Sequence, residues 1–225
     1  VINLKNRFLS LLTNTTKNLL FETRETTTKA PFIRDAMNLK KWLTYVILAL
    51  LPCFFVSIFN TGLQSIIFSS KNALLKTYYL NANVSITAYI KFIIYNDLFF
   101  KSLVKGLFIT IPIVLTSYIV GGFWEVFFAF IRKKDISEGF FVTGLLYALI
   151  LPPNLPLWMV AVGISFGVIV GKEIFGGTGY NIFNPALIGR IFIYFAFPLY
   201  MSGNIFVPNS FGPNNFGSNN FGNQN

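Results

Sequence analysis

Apolar residues come in five runs along the chain, at 42–59, 105–131, 139–151, 157–173 and 186–201. Polar and basic residues collect between them. Runs this long and this poor in charge predict transmembrane helices rather than the core of a soluble domain. The fold class expected is therefore all-α: a polytopic transmembrane helical protein with about five spans and broken helices. Pro52 is expected to kink the first run, and the breaks are written as Gly121-Gly122, the P-P-N-L-P run at 152–156 and a glycine-rich stretch at 171–190. Residues 60–64, N-T-G-L-Q, are expected to cap the exit of the first span. Residues 65–100, with Lys71, Lys76, Lys91 and Asp97, fit a polar loop and an amphipathic segment better than a clean span.

The ends differ from the middle. Residues 1–41 form a polar arm holding eight of the eighteen Lys and Arg residues, expected to be cytoplasmic by the positive-inside rule. An amphipathic surface helix around Phe8–Leu12 and a disordered arm are both open for this segment. The tail, 203–225, carries no charge and repeats Phe-Gly-Asn units. It has no periodic apolar face and is expected to be disordered.

Composition narrows the class. The chain of 225 residues is 54% hydrophobic and 12% charged, half the charge of an ordinary soluble domain. Its net charge of +10 lies on the flanks of apolar runs, which excludes nucleic acid as a partner and points to the lipid bilayer. There is no His and one Cys, Cys53. No metal site, haem ligation or cysteine-held cluster is expected from such a set, and no residue is assigned as catalytic. Any redox chemistry must come from an organic cofactor.

A few positions could carry function. Glu125 is the one acid inside the 105–131 run, and an acid at membrane depth marks an ion, proton or substrate path. The other reading puts it near the headgroups. Gly121 and Gly122 serve either close helix packing or backbone opened beside a ligand. Phe140 and Phe141 are either lipid-facing or a stacking surface. In 171–190, G-K-E-I-F-G-G-T-G-Y-N-I-F-N-P-A-L-I-G-R, the glycines make a poor phosphate loop: the third glycine of that motif is missing and no βαβ unit surrounds it. Asn181 and Asn184 stand three apart, on one face if helical, and Asn184-Pro185 favours a break followed by a helix start. Their carboxamides suit a flavin edge or ribityl hydroxyls; helix capping is the competing use. Lys172 fits a cytoplasmic exit of the fourth run.

The segments A-P-F-I-R-D-A-M-N-L-K, G-G-F-W-E-V-F-F-A, E-G-F-F-V-T-G-L-L-Y-A-L-I-L-P-P and the whole of 171–190 resemble the B-subunit family of sodium-translocating NADH:quinone oxidoreductases. The likeness covers about residues 30–203. The D subunit of the Rnf ferredoxin:NAD complex is the neighbouring family. The resemblance implies a bacterial inner-membrane component of an NADH:ubiquinone reductase, inactive without its partner subunits. It implies electron flow through non-covalent riboflavin to quinone, coupled to sodium transport. It places riboflavin contacts on Asn181 and Asn184, the quinone site on Gly121, Gly122, Phe140 and Phe141, and sodium uptake on Glu125. The family also carries FMN on the second Thr of a Ser/Thr-Gly-Ala-Thr motif. No such motif lies within residues 1–225, so the covalent FMN threonine is absent from this chain. An N-terminal half of a longer protein is the expectation. A broken-helix transporter is the rival of a different class.

Overall fold

The computed structural model describes residues 39–69, 98–132 and 139–202. The arm before residue 39, the segment 70–97 and the tail from 203 lie outside the described residues, as do the expectations placed on them. Six α-helices follow in order: α1 Leu39–Ser69, α2 Leu98–Arg132, α3 Gly139–Ile150, α4 Leu157–Val168, α5 Pro185–Ala196 and α6 Pro198–Met201. A π-helical turn, Ile169–Glu173, continues α4. There is no strand among the described residues. This is the all-α architecture of a polytopic membrane protein.

The five apolar runs all fall on helices, with two revisions of extent. α1 does not stop at residue 59 but runs through Asn60–Gln64 to Ser69. Within one helix, Asn60 Oδ1 accepts from Gln64 Nε2 one turn on, so these polar residues continue the helix instead of capping it. α2 starts at Leu98, a turn and more before residue 105. Pro52 and Pro112 lie inside α1 and α2. Gly121 and Gly122 do not interrupt α2 either. The breaks sit elsewhere: at 151–156, between α5 and α6 at Phe197, and at 174–184.

Among the described residues, only α1 and α2 are long and apolar enough to cross a bilayer as single helices, over Lys41–Ile67 and Leu98–Arg132. In their most apolar windows 6% and 22% of residues are buried within the chain, so these are not core helices of a soluble protein. Trp42, Leu48, Phe55, Phe108, Ile119 and Phe123 project outward and are exposed. α3 and α5 are 12 residues each, roughly 18 Å, short of a hydrocarbon layer of about 30 Å.

Small residues set the packing. α2 buries Ser102, Gly106, Thr110, Ile113, Ser117, Gly121 and Glu125, one stripe at helical spacing. Gly106 meets Gly62 of α1 backbone to backbone: a Cβ on Gly62 would lie 1.7 Å from Ser102 O. On α4 the stripe is Gly163, Gly167 and, in the π turn, Gly171. A Cβ on Gly167 would lie 2.4 Å from Pro185 O, which seats the start of α5 on the end of α4. Small residues let helix backbones approach where lipid supplies no hydrophobic drive. The core between α2, α3, α4 and α5 is filled by Ile113, Tyr147, Met159, Val160, Ile164 and Ile193. Buried hydroxyls bond to carbonyls one turn back: Ser117 to Ile113 O at 2.9 Å and Thr143 to Gly139 O at 3.1 Å. Tyr147 donates to Val160 O at 3.1 Å.

Candidate functional site

The helices alternate in direction, so the start of α1, the end of α2, the start of α3, the π turn and the start of α5 meet at one end. Every candidate residue from the sequence that falls within the described segments lies at or near this end.

Glu125 is buried, on the inner stripe of α2. Its Oε1 accepts from Lys172 Nζ at 2.5 Å, with both side chains almost wholly covered at 6% and 4% exposure. One full heptad on, Arg132 pairs with the next residue of the π turn: its Nη1 donates to Glu173 Oε2 at 2.6 Å, and its Nη2 donates to the Glu173 carbonyl. The Arg132 guanidinium also lies over the Phe128 ring, 5.5 Å from its centroid. Two adjacent residues of the π turn thus bind two residues of α2 with alternating charge. The turn that carries them is π-helical, a form often found at functional sites.

Lys172 is not among the site candidates that the sequence offers, where it fits a membrane exit. A signal for it does exist, and it is electrostatic. A buried acid in an apolar helix calls for a buried cation, and Lys172 is the basic residue of the fourth run.

Gly121, Gly122, Phe140 and Phe141 are brought together. A Cβ on Gly121 would lie 2.7 Å from Phe140 Cε2, and one on Gly122 would lie 3.4 Å from Phe140 Cε1. Phe140 is buried, while Phe141 is exposed. Tyr118, absent from the sequence candidates, joins them. Its ring meets Phe140 edge-on at 5.8 Å, and its hydroxyl donates to Phe141 O at 2.8 Å.

Residues 174–184 are not helical, so Asn181 and Asn184 do not share a helix face. Gly176, Gly177 and Gly179 have φ of 117°, 101° and 89°, which side-chain-bearing residues rarely adopt, and they fold this loop back. Asn181 closes it: its Oδ1 accepts from Gly179 N–H at 3.2 Å and its Nδ2 donates to Phe183 O at 2.9 Å. Asn184 is the N-cap of α5, with Oδ1 accepting from Ala186 N–H at 2.9 Å and Pro185 in the first turn. The expected helix start at Asn184-Pro185 is observed, with the capping use of the Asn184 carboxamide, while Asn181 bonds within the loop.

Between the loop, α1, α3 and the π turn lies a cavity of about 400 Å³. Its walls are apolar at Leu43, Val142, Leu146, Ile182 and Phe183, and polar at Thr143, Thr178, Asn181, Asn184 and Lys172. Thr178 of the loop rests on Gly139, where a Cβ would lie 2.8 Å from its Cγ2. A space of this size, mostly apolar with a few converging polar groups, suits a planar organic molecule of cofactor size. The carboxamide of Asn184 keeps its Nδ2 for a ligand, since the cap uses the oxygen. No group of three or more metal-ligating side chains occurs among the described residues.

An apolar helical bundle with a cavity at one end, and a buried ion pair that reaches the cavity wall through Lys172, defines a polytopic membrane protein. The chain belongs to the NQR2, RnfD, RnfE family, whose family model matches residues 26–218. Over 187 residues it is 49% identical to the B subunit of the Na(+)-translocating NADH-quinone reductase of Chlamydia pneumoniae, covering 83% of this chain and 37% of that protein. The proteins of the same name from Klebsiella pneumoniae and Azotobacter vinelandii are 45% and 43% identical over 186 and 185 residues. The match covers 80% and 82% of this chain, and 45% and 46% of theirs. The chain therefore spans less than half the length of these relatives.

Proposed function

We propose that this chain is the part of a sodium-translocating NADH:quinone reductase B subunit that seats riboflavin, quinone and the entering sodium ion. The observation that carries the reading is spatial: the Asn184 cavity, the Gly121–Phe140 contact and Glu125 share one end of one bundle.

In this reading the cavity holds the riboflavin. Asn184 offers its Nδ2, and Thr143, whose hydroxyl donates to Gly139 O, offers only an acceptor, while Leu43, Val142 and Phe183 exclude water from the ring. The flavin supplies the redox chemistry; the chain fixes its edge and its electrostatic surroundings. The quinone lies against Gly121, Gly122, Phe140 and Phe141, and sodium enters toward Glu125. The FMN of the complex is held outside residues 1–225. The remaining subunits of the oxidoreductase complex contact the exposed apolar faces of α1 and α2. Lys41 and Arg132 stand at the site's end of the bundle, so this end is cytoplasmic and the chain crosses a bacterial inner membrane several times, N-terminus inside.

The test is flavin content. Asn184→Ala in the assembled complex should lower extractable riboflavin, and full retention removes the assignment. Glu125→Gln should weaken the sodium response of quinone reduction; an unaltered response counts against the acid. The runner-up is a D subunit of an Rnf-type complex, favoured only by the shared family. Measuring whether quinone or NAD accepts the electrons separates the two.

A further inference from the structure

The proposed sodium acid is already occupied. Glu125 Oε1 is held by Lys172 Nζ at 2.5 Å inside the bundle. A monovalent cation reaching this carboxylate arrives beside an ammonium already held on it, and two like charges that close in a buried site repel strongly. Lys172 is also part of the cavity wall, beside Thr178, Asn181 and Asn184. One side chain thus touches both the acid and the space assigned to the flavin.

We propose that Lys172 is an exchangeable counter-cation that couples cation entry at Glu125 to the charge of the cavity's occupant. This rests on the functional reading above and adds the residue that links its two sites. A sodium ion arriving at Glu125 displaces the ammonium, and the stem, anchored in the π turn, carries the charge to the cavity side. The step is a displacement: no bond forms or breaks, and no proton leaves Lys172. A positive charge at the wall then favours the more negative, reduced state of whatever sits there. By linkage, an occupant that gains negative charge draws Lys172 from Glu125 and strengthens cation binding by the same factor.

The neighbouring pair explains why the mobile charge is Lys172. Arg132 grips both the carboxylate and the carbonyl of Glu173, and it does not line the cavity. Lysine is a single compact charge on a flexible four-carbon stem, whereas arginine's planar fork locks onto a carboxylate. Arg132 and Glu173 hold the π turn in place while Lys172 moves from it.

The experiment uses the full-length protein in the assembled complex, with Lys172→Arg and Lys172→Gln. The flavin midpoint potential is followed by spectroelectrochemistry during titration with NaCl against choline chloride. In the unaltered protein the potential should rise with sodium. Lys172→Arg keeps the charge but fastens it to Glu125, so half-saturating sodium should rise about tenfold, within the usual range of coupling between sites. Lys172→Gln removes the competitor, so half-saturation should fall by a similar factor and the sodium-dependent shift in potential should vanish. Half-saturation in both variants equal to the unaltered protein overturns the exchange. Should Lys172→Gln fail to assemble, Lys172→Arg decides alone. Failure of the flavin seat is read separately, as full flavin retention in Asn184→Ala.

Discussion

Gly121 has no side chain because the ring of Phe140 occupies its place: a Cβ there would lie 2.7 Å from Cε2 of that ring and 3.1 Å from Ile164 Cγ1. Tyr118, one turn earlier on α2, meets the same ring edge-on at 5.8 Å. Gly121→Ala should therefore push Phe140 out of position. Gly122→Ala should be nearly silent, since its Cβ would sit at an ordinary 3.4 Å. In the assembled complex the first variant should raise the KM for quinone several-fold and the second should not. Equal effects from both would mean that Phe140 does not shape the quinone site.

Asn184 is a cap as well as a candidate ligand, and the two uses separate by substitution. Loss of an N-cap costs about 1 kcal/mol, and Asp and Ser cap nearly as well as Asn. Asn184→Asp keeps an acceptor for the Ala186 N–H but has no Nδ2 donor. If the carboxamide meets the flavin, Asn184→Asp and Asn184→Ala should both lose riboflavin while only Asn184→Ala loses thermal stability in detergent. Riboflavin retained in Asn184→Asp alone would reduce the residue to a structural cap.

Arg132 joins the end of α2 to the π turn through two contacts on Glu173, one to the carboxylate and one to the backbone. Its side chain is 28% exposed, so the charge contribution is partly screened. Arg132→Lys keeps the charge but loses the second contact and the stacking on Phe128. It should lower the thermal midpoint of the purified complex about as much as Arg132→Ala does. Full rescue by lysine would show that charge alone holds the turn.

Much of this bundle was legible as a pattern of apolar and polar residues. Long charge-poor runs located the helices, and the Asn184-Pro185 pair marked where α5 begins. Helix ends were less legible, because Asn60 and Gln64 can satisfy each other within a helix as readily as they can end one. The glycines misled in a similar way. Gly121-Gly122 reads as a break but lies in unbroken helix, where the missing side chains make room for Phe140. Gly176, Gly177 and Gly179 are the ones that require unusual backbone. Least legible was Lys172. Its position at the end of an apolar run fits a membrane boundary, and its pairing with Glu125, forty-seven residues away, arises from the packing of separate helices, which leaves no periodic trace in sequence.

The buried pair itself makes a stability prediction that is independent of sodium. Glu125 and Lys172 are each covered to more than nine-tenths, so each is tolerable only because the other is present. Removing one partner of such a pair typically costs about 3–5 kcal/mol, much the same whichever partner goes, because the survivor is left as a lone buried charge. Replacing both by uncharged groups of similar size is often neutral. Glu125→Gln and Lys172→Met should each lower the thermal midpoint of the complex sharply, whereas the double variant should recover most of the loss. Two such single losses against a nearly neutral double imply a favourable interaction free energy on the order of 5 kcal/mol or more, above the usual ceiling of about 3 kcal/mol for residues in contact. Losses that simply add would mean that water reaches the pair and that each charge is solvated on its own. In that case the carboxylate would be open to a cation without any displacement of Lys172, and sodium affinity should be the same in Lys172→Arg as in the unaltered chain.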